Sequence, residues 1–168
     1  LDQSTFMGGW YISEKICDEV LNYFEENESY HEPGLVTGVD EDDDDEHVDL
    51  EIKKSRDLSI MPFPIEMSSY AQSLSNALDN YLEKYEWADR TTNFAIKESV
   101  NIQRYKPGEG FYKWHMENFG TGMAINRHLV FMTYLNDVEN GGTEFYYYPD
   151  LKIQARKGLT LIWPAGWT

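Results

Sequence analysis

The chain has 168 residues and a formal net charge of -16, so most of its surface repels a phosphate backbone. With no local basic patch, nucleic-acid binding by counterion release is excluded. Cys17 is the single cysteine, which rules out an internal disulfide and a cysteine-based zinc site and fits a reducing, cytoplasmic compartment; no apolar stretch reaches the roughly 20 residues of a membrane span and no basic-then-apolar leader opens the sequence, so a soluble protein with no membrane partner is expected.

The length suits a single domain, residues 1–168, and an aromatic content of 15%, with 12 tyrosines, suits half-buried strands that line a cavity. Ser13 is placed as an N-cap, and Ile16, Val20, Leu21 and Phe24 after it share one helical stripe, which predicts a first helix ending near Asn27. Glu28 to Asp49 shows little periodicity and reads as a long surface loop. Its acidic run, Asp40 to Glu46 followed by Asp49, has neither the glycine nor the spaced acids of an EF-hand and reads as solvated chain. Lys53 to Ile60 is a short strand candidate. Beyond Pro62 and Pro64, the residues Tyr70, Leu74, Ala77, Leu78, Tyr81, Leu82 and Tyr85 recur at three- and four-residue spacing and predict a second helix. After Asn93 the pattern changes to short runs bounded by turn residues: Ser99 to Tyr105, His128 to Leu135, Thr143 to Tyr148, Leu151 to Ala155 and Leu159 to Trp163.

Helices first and strands after predict an α+β domain. Residues 1–95 form a helical support carrying the acidic loop 40–49, and they brace an antiparallel sandwich or barrel built from 96–168.

His115 and Glu117, separated by Met116, have the His-x-carboxylate spacing of a facial triad, in which two histidines and one carboxylate hold Fe(II). Spacing alone is weak, because 4 histidines and 30 acidic residues in 168 positions supply about 0.7 such triplets by chance. His47-Val48-Asp49 is a second one, but it lies beside the acidic loop and reads as a solvated decoy. His115 follows a predicted strand and the glycine-bearing turn Lys106 to Gly110.

The segment from Gln103 through Arg104-Tyr105-Lys106-Pro107-Gly108 to His115-Met116-Glu117 resembles the first metal-binding motif of the prolyl 4-hydroxylase-like 2-oxoglutarate oxygenases. Arg127 and then Tyr134-Leu135-Asn136-Asp137 to Gly141-Gly142-Thr143-Glu144-Phe145 resemble the family's strand, acidic turn, paired glycines and returning strand. Lys157 to Trp167 resembles the strand that leads into the second metal histidine. These blocks cover Val100 to Thr168. Phe6 to Phe24 and Lys53 to Ile60 are similar to the N-terminal part of the same proteins, in the branch seen in marine bacteria and phages.

The resemblance implies a double-stranded β-helix (jelly-roll, cupin-like) core and a dioxygenase that hydroxylates a C–H bond, of peptidyl proline by analogy, while 2-oxoglutarate is converted to succinate and CO2. Its cofactors would be Fe(II), 2-oxoglutarate and O2, with ascorbate as an optional reductant. His115 and Glu117 would bind the iron. Tyr105 and Tyr134 would hydrogen-bond 2-oxoglutarate, a phenol being a rigid donor that offsets the desolvation of a buried anion. Without the motif, both tyrosines read equally as core packing. Three departures stand out. Glu117 occupies a position usually held by aspartate, Val130 one often held by threonine, and both the third metal ligand and the basic partner of 2-oxoglutarate are expected beyond Thr168. His128, beside Arg127 on a strand that carries no ligand in relatives, is a poor substitute for that third ligand. The loop 28–49 and the segment Asn118 to Asn126 are candidates for gating a peptide or protein substrate, and Tyr112 and Trp114 for its aromatic wall. Two other readings remain open: a cupin-like metalloprotein without 2-oxoglutarate, and an inactive barrel used for binding.

Overall fold

The computed structural model describes residues 1–37, 46–90, 93–119 and 122–166. Most of the acidic run, part of the Asn118 to Asn126 segment, and Trp167 and Thr168 lie outside the described residues. Helix α1 (Glu14–Glu26) starts after Ser13, whose backbone is extended as an N-cap requires but whose side chain makes no capping bond. It buries Cys17, Val20 and Phe24, and helix α2 (Ser68–Lys84) buries Tyr70, Leu74, Ala77 and Tyr81. Both sets follow the three- and four-residue spacing that puts apolar side chains on one face; each large one stabilises the fold by about 1.5–3 kcal/mol on leaving water.

The strands are β1 (Gly8–Tyr11), β2 (Glu32–Pro33), β3 (Val36–Thr37), β4 (Glu46–His47), β5 (Arg56–Ile60), β6 (Val100–Arg104), β7 (Leu129–Thr133), β8 (Gly142–Phe145), β9 (Tyr148–Gln154) and β10 (Leu159–Pro164). All their pairings are antiparallel: β1-β10-β7 and β2-β5-β6 form three-stranded sheets, and β3-β4 and β8-β9 form two-stranded ladders.

The alternation of side chains across a strand decides what covers each face. In the first sheet Ile162 and its partner Phe131 turn toward α2, where they meet Ala77, Tyr81 and Tyr85. Leu161 and its partner Met132 turn the other way, toward Phe145 and Ile153 of the β8-β9 hairpin. In the second sheet Leu58, Ile60 and Ile102 join Val20, Phe24, Tyr70 and Leu74 beneath the helices. Lys53, Ser55, Asp57 and Gln103 are on the opposite parity. One helical layer thus backs both sheets, and the second sheet presents a polar face on the side away from it.

Three expectations are corrected. The helices-first order is broken by β1, which precedes α1 and pairs with β10 across most of the chain. Its signal is hidden by Gly8, where a Cβ would come within 2.1 Å of the Trp10 ring and 3.1 Å of Tyr81, so close packing, not strand propensity, selects the residue. Within the segment read as one loop, residues 28–49, the described part holds a single 3-10 turn, Glu28–Tyr30, and three two-residue strands, with His47 on one of them. The strand expected from Lys53 begins at Arg56, because Lys53 instead makes an isolated antiparallel bridge to Phe111. As for the expected closed β-helix, the described strands stand as separate antiparallel sheets, with β6 and β7 each the outer strand of its own sheet.

Candidate active site around His115 and Glu117

Residues 105–119 carry no regular strand, and their course is set by hydrogen bonds to distant parts of the chain. A tight turn comes first. The Glu109 amide donates to the Lys106 carbonyl (2.8 Å), the Lys106 amide to the Glu109 carboxylate (2.9 Å), and Gly108 sits at φ +83°, a left-handed conformation that suits glycine. The chain then runs beside residues 52–54: the Lys54 amide donates to Gly110 (2.9 Å) and the Tyr112 amide to Ile52 (2.7 Å). Past the motif, the amides of Glu117 and Asn118 both donate to the carbonyl of Ala165, at 3.1 and 2.9 Å, just beyond β10. The candidate ligands are therefore suspended between the segment before β5 and the end of β10.

His115 Nδ1 lies 3.0 Å from the carbonyl of Lys113. A carbonyl only accepts, so Nδ1 carries a proton and Nε2 is the ring nitrogen left to meet a metal. Nε2 stands 3.4 Å from Oε1 of Glu117. Two lone-pair atoms facing each other at this distance call for a proton or a cation between them, and neighbouring ligands of a first-row ion with bonds of about 2.1 Å stand about 3 Å apart. The donor set therefore fits part of an iron site. Phe111 stacks on the imidazole with centroids 3.9 Å apart and fixes its plane.

Without a metal, the electrostatics favour a proton in that gap. For His115, burial works against the charged ring, but the hydrogen bonds to Glu117 and Lys113 and the Glu117 charge outweigh it and raise the pKa above 6.5. The same contact with His115, helped by Arg127, lowers Glu117 against the opposing effect of burial. Lys53, buried and paired with Asp57 at 2.7 Å, also acts on both groups.

The two tyrosines stand apart in their partners. Tyr105 donates from its hydroxyl to Gln103 Oε1 (2.9 Å), and burial together with the Asp57 charge pushes its phenol above the usual value. It belongs with Lys53, Ser55, Asp57 and Gln103, beside His115 and Glu117; among the described residues Asp57 Oδ1 finds no hydrogen-bond partner. Tyr134 hydrogen-bonds Thr143 Oγ1 at 2.6 Å and packs with the cluster of Met7, Phe145, Ile153 and Leu161. His128 is engaged elsewhere: its Nε2 is 2.6 Å from the carbonyl of Ala88, and its ring lies against Phe94. Among the described residues, no group of three or more His, Cys, Asp or Glu side chains gathers as a metal site.

The sequence pattern marks Lys53 to Ile60 only as a strand and leaves its polar face unread. The available signal is the alternation of Lys53, Ser55 and Asp57, matched across the sheet by Gln103, where the register pairs Asp57 with Gln103. Nor does the pattern give Arg127 a role, although that guanidinium reaches both Glu98 and Glu117.

No helix among the described residues is long and apolar enough to cross a membrane. No protein-family model and no curated protein matches the chain. Among solved structures, the crystal structure of a Pseudomonas putida prolyl-4-hydroxylase is similar, with a TM-score of 0.61 and 12% identity, covering 98% of this chain and 86% of that one. At that identity the likeness is one of fold: the chain folds like a prolyl-4-hydroxylase.

Proposed function

We propose that this protein is an Fe(II)- and 2-oxoglutarate-dependent dioxygenase with a double-stranded β-helix core, hydroxylating a C–H bond of a peptidyl proline or a related substrate. The observation that carries the reading is the convergence of His115 Nε2 and Glu117 Oε1, 3.4 Å apart, on a chain that folds like a prolyl-4-hydroxylase. In this reading His115 and Glu117 are two of the protein ligands of the metal.

Iron and 2-oxoglutarate, when bound, would supply the oxidising power for O2 to hydroxylate the substrate carbon as 2-oxoglutarate is converted to succinate and CO2. The protein's own groups do the rest. The Lys113 carbonyl holds the Nδ1 proton of His115 and so makes Nε2 the nitrogen that would bind the metal once its own proton has left. Tyr105 and Tyr134 would supply the phenols that hold 2-oxoglutarate, giving up for it the bonds they make to Gln103 and Thr143. Phe111 keeps water from one side of the imidazole, and the exposed Tyr112 and Trp114 line the approach of a peptide chain. Ascorbate serves as an auxiliary reductant, and the lone Cys17 suits an intracellular setting.

Anaerobic addition of Fe(II) and then 2-oxoglutarate to the natural full-length protein should raise the visible charge-transfer band of a chelated keto acid, and His115→Ala should abolish it. If iron binds and no band follows, the cosubstrate is wrong and a cupin-like metalloprotein takes its place. If no metal binds at all, the barrel serves another end.

A further inference from the structure

Glu117 is one methylene longer than the aspartate that relatives place here, and a longer carboxylate is a looser ligand unless something holds it. Arg127 does. It follows the 3-10 turn Ala124–Asn126, immediately before His128 and β7. Its Nη1 donates to the Glu117 carbonyl at 3.1 Å and to Glu117 Oε2 at 3.3 Å. The rest of the guanidinium is locked on Glu98: Nε lies 3.1 Å from each Glu98 oxygen, and Nη2 2.6 Å from Oε2. The backbone at Arg127 is tied in turn, since Asn118 Nδ2 donates to its carbonyl at 2.8 Å and to that of Ile125 at 3.1 Å.

The two oxygens of Glu117 are thereby divided. Oε2 faces Arg127 and Oε1 faces His115 Nε2. A planar guanidinium with donors in fixed directions suits this task, where a lysine would offer only a point charge.

Resting on the metal reading above, we infer that Arg127 is a positioning residue: braced by Glu98, it holds the longer Glu117 so that one oxygen alone is presented to the metal. Glu117 and Arg127 form a matched pair. An aspartate at 117 would be closer to the pattern of relatives yet poorer in this chain, because its carboxylate falls short by about one C–C bond, roughly 1.5 Å, and cannot face His115 and Arg127 at once.

The test is the affinity of the full-length protein for Mn(II), an air-stable stand-in for Fe(II), followed by the electron paramagnetic resonance of the unbound ion, with urea unfolding of each metal-free variant measured alongside. Arg127→Gln should weaken Mn(II) binding about 10–100-fold, the usual range for loss of a group that orients a ligand. Glu98→Gln should weaken it by a smaller factor. Glu117→Asp should also bind less tightly than wild type, and Arg127→Lys should recover stability before affinity. Should Arg127→Gln be too unstable to titrate, Arg127→Lys and Glu117→Asp, both of which keep their charge, carry the test. Affinities within twofold of wild type in the folded variants, or tighter binding by Glu117→Asp, would overturn the positioning role while leaving the metal site standing. Failure of the wild type itself to bind Mn(II) would overturn the metal reading and this inference with it.

Discussion

The helix-backed half of the molecule and the segment that carries the candidate ligands are built in opposite ways. Behind β5 and β6, Phe24, Leu58, Ile60 and Leu74 are all but inaccessible to water, and each side chain is held by many neighbours. Along the described residues 111–119 and 122–125, Tyr112, Trp114, Met116, Met123 and Ile125 are about half exposed or more, and the backbone of 111–119 is fixed by a few long-range hydrogen bonds. In the first region the fold is over-determined, so the removal of one neighbour is compensated in part by the rest. In the second, each bond is nearly the sole determinant of where a ligand atom stands, so geometry there is exact only as long as a small number of partners stay in place.

The widest gap between the two should appear on truncation of a large side chain. Phe24→Ala removes a ring packed on the helical face of β5 and β6 and stacked on His31 at 3.8 Å, and should cost about 3–5 kcal/mol in urea unfolding. A smaller effect concerns Tyr70, whose hydroxyl meets Thr133 Oγ1 at 3.0 Å and whose burial pushes its pKa from 10.0 up to about 12. The folded state holds this proton more tightly than the unfolded chain, so stability is intact below pH 10 and declines between pH 10 and 12, by up to about 1.4 kcal/mol per unit. The decline measured by alkaline unfolding should be shallower in Tyr70→Phe; an unchanged slope would mean that this hydroxyl is not sealed from solvent. Smallest should be Trp114→Ala. It removes the larger ring, yet at 60% exposure the loss should stay within about 0.5 kcal/mol. A cost above 2 kcal/mol would mean that the segment is packed as a core and that the contrast is false.

Much of this is legible in the amino-acid order. The stripes Val20/Phe24 and Tyr70/Leu74/Ala77/Tyr81 predict both helices because burial on one face leaves a 3.6-residue imprint. β6, β7 and β10 fall within a residue or two of their expected limits. β1 is not legible, since Gly8 and Gly9 report a close approach to Trp10, Tyr81 and Leu161, a fact of tertiary packing. At the site, the neighbourhood of His115 and Glu117 is local in sequence. The braces are not: Lys53 meets Phe111, Glu98 meets Arg127, and Ala165 meets Glu117. None of these pairs leaves a periodic trace, because each is set by how separate segments cross.

The double acceptor at Ala165 also fixes an order of events in time. During synthesis Tyr105 to Glu117 leave the ribosome some 50 residues before Ala165, and until that carbonyl arrives the amides of Glu117 and Asn118 have no place to go. β10 in turn closes on β1, which precedes the other described strands in the chain. Helices and the β5-β6 pair can form on the emerging chain, whereas the pair His115 and Glu117 is held in place only after β10 has been made. A nascent chain stalled in mid-domain would carry both candidate ligands without the carbonyl that holds their backbone in place.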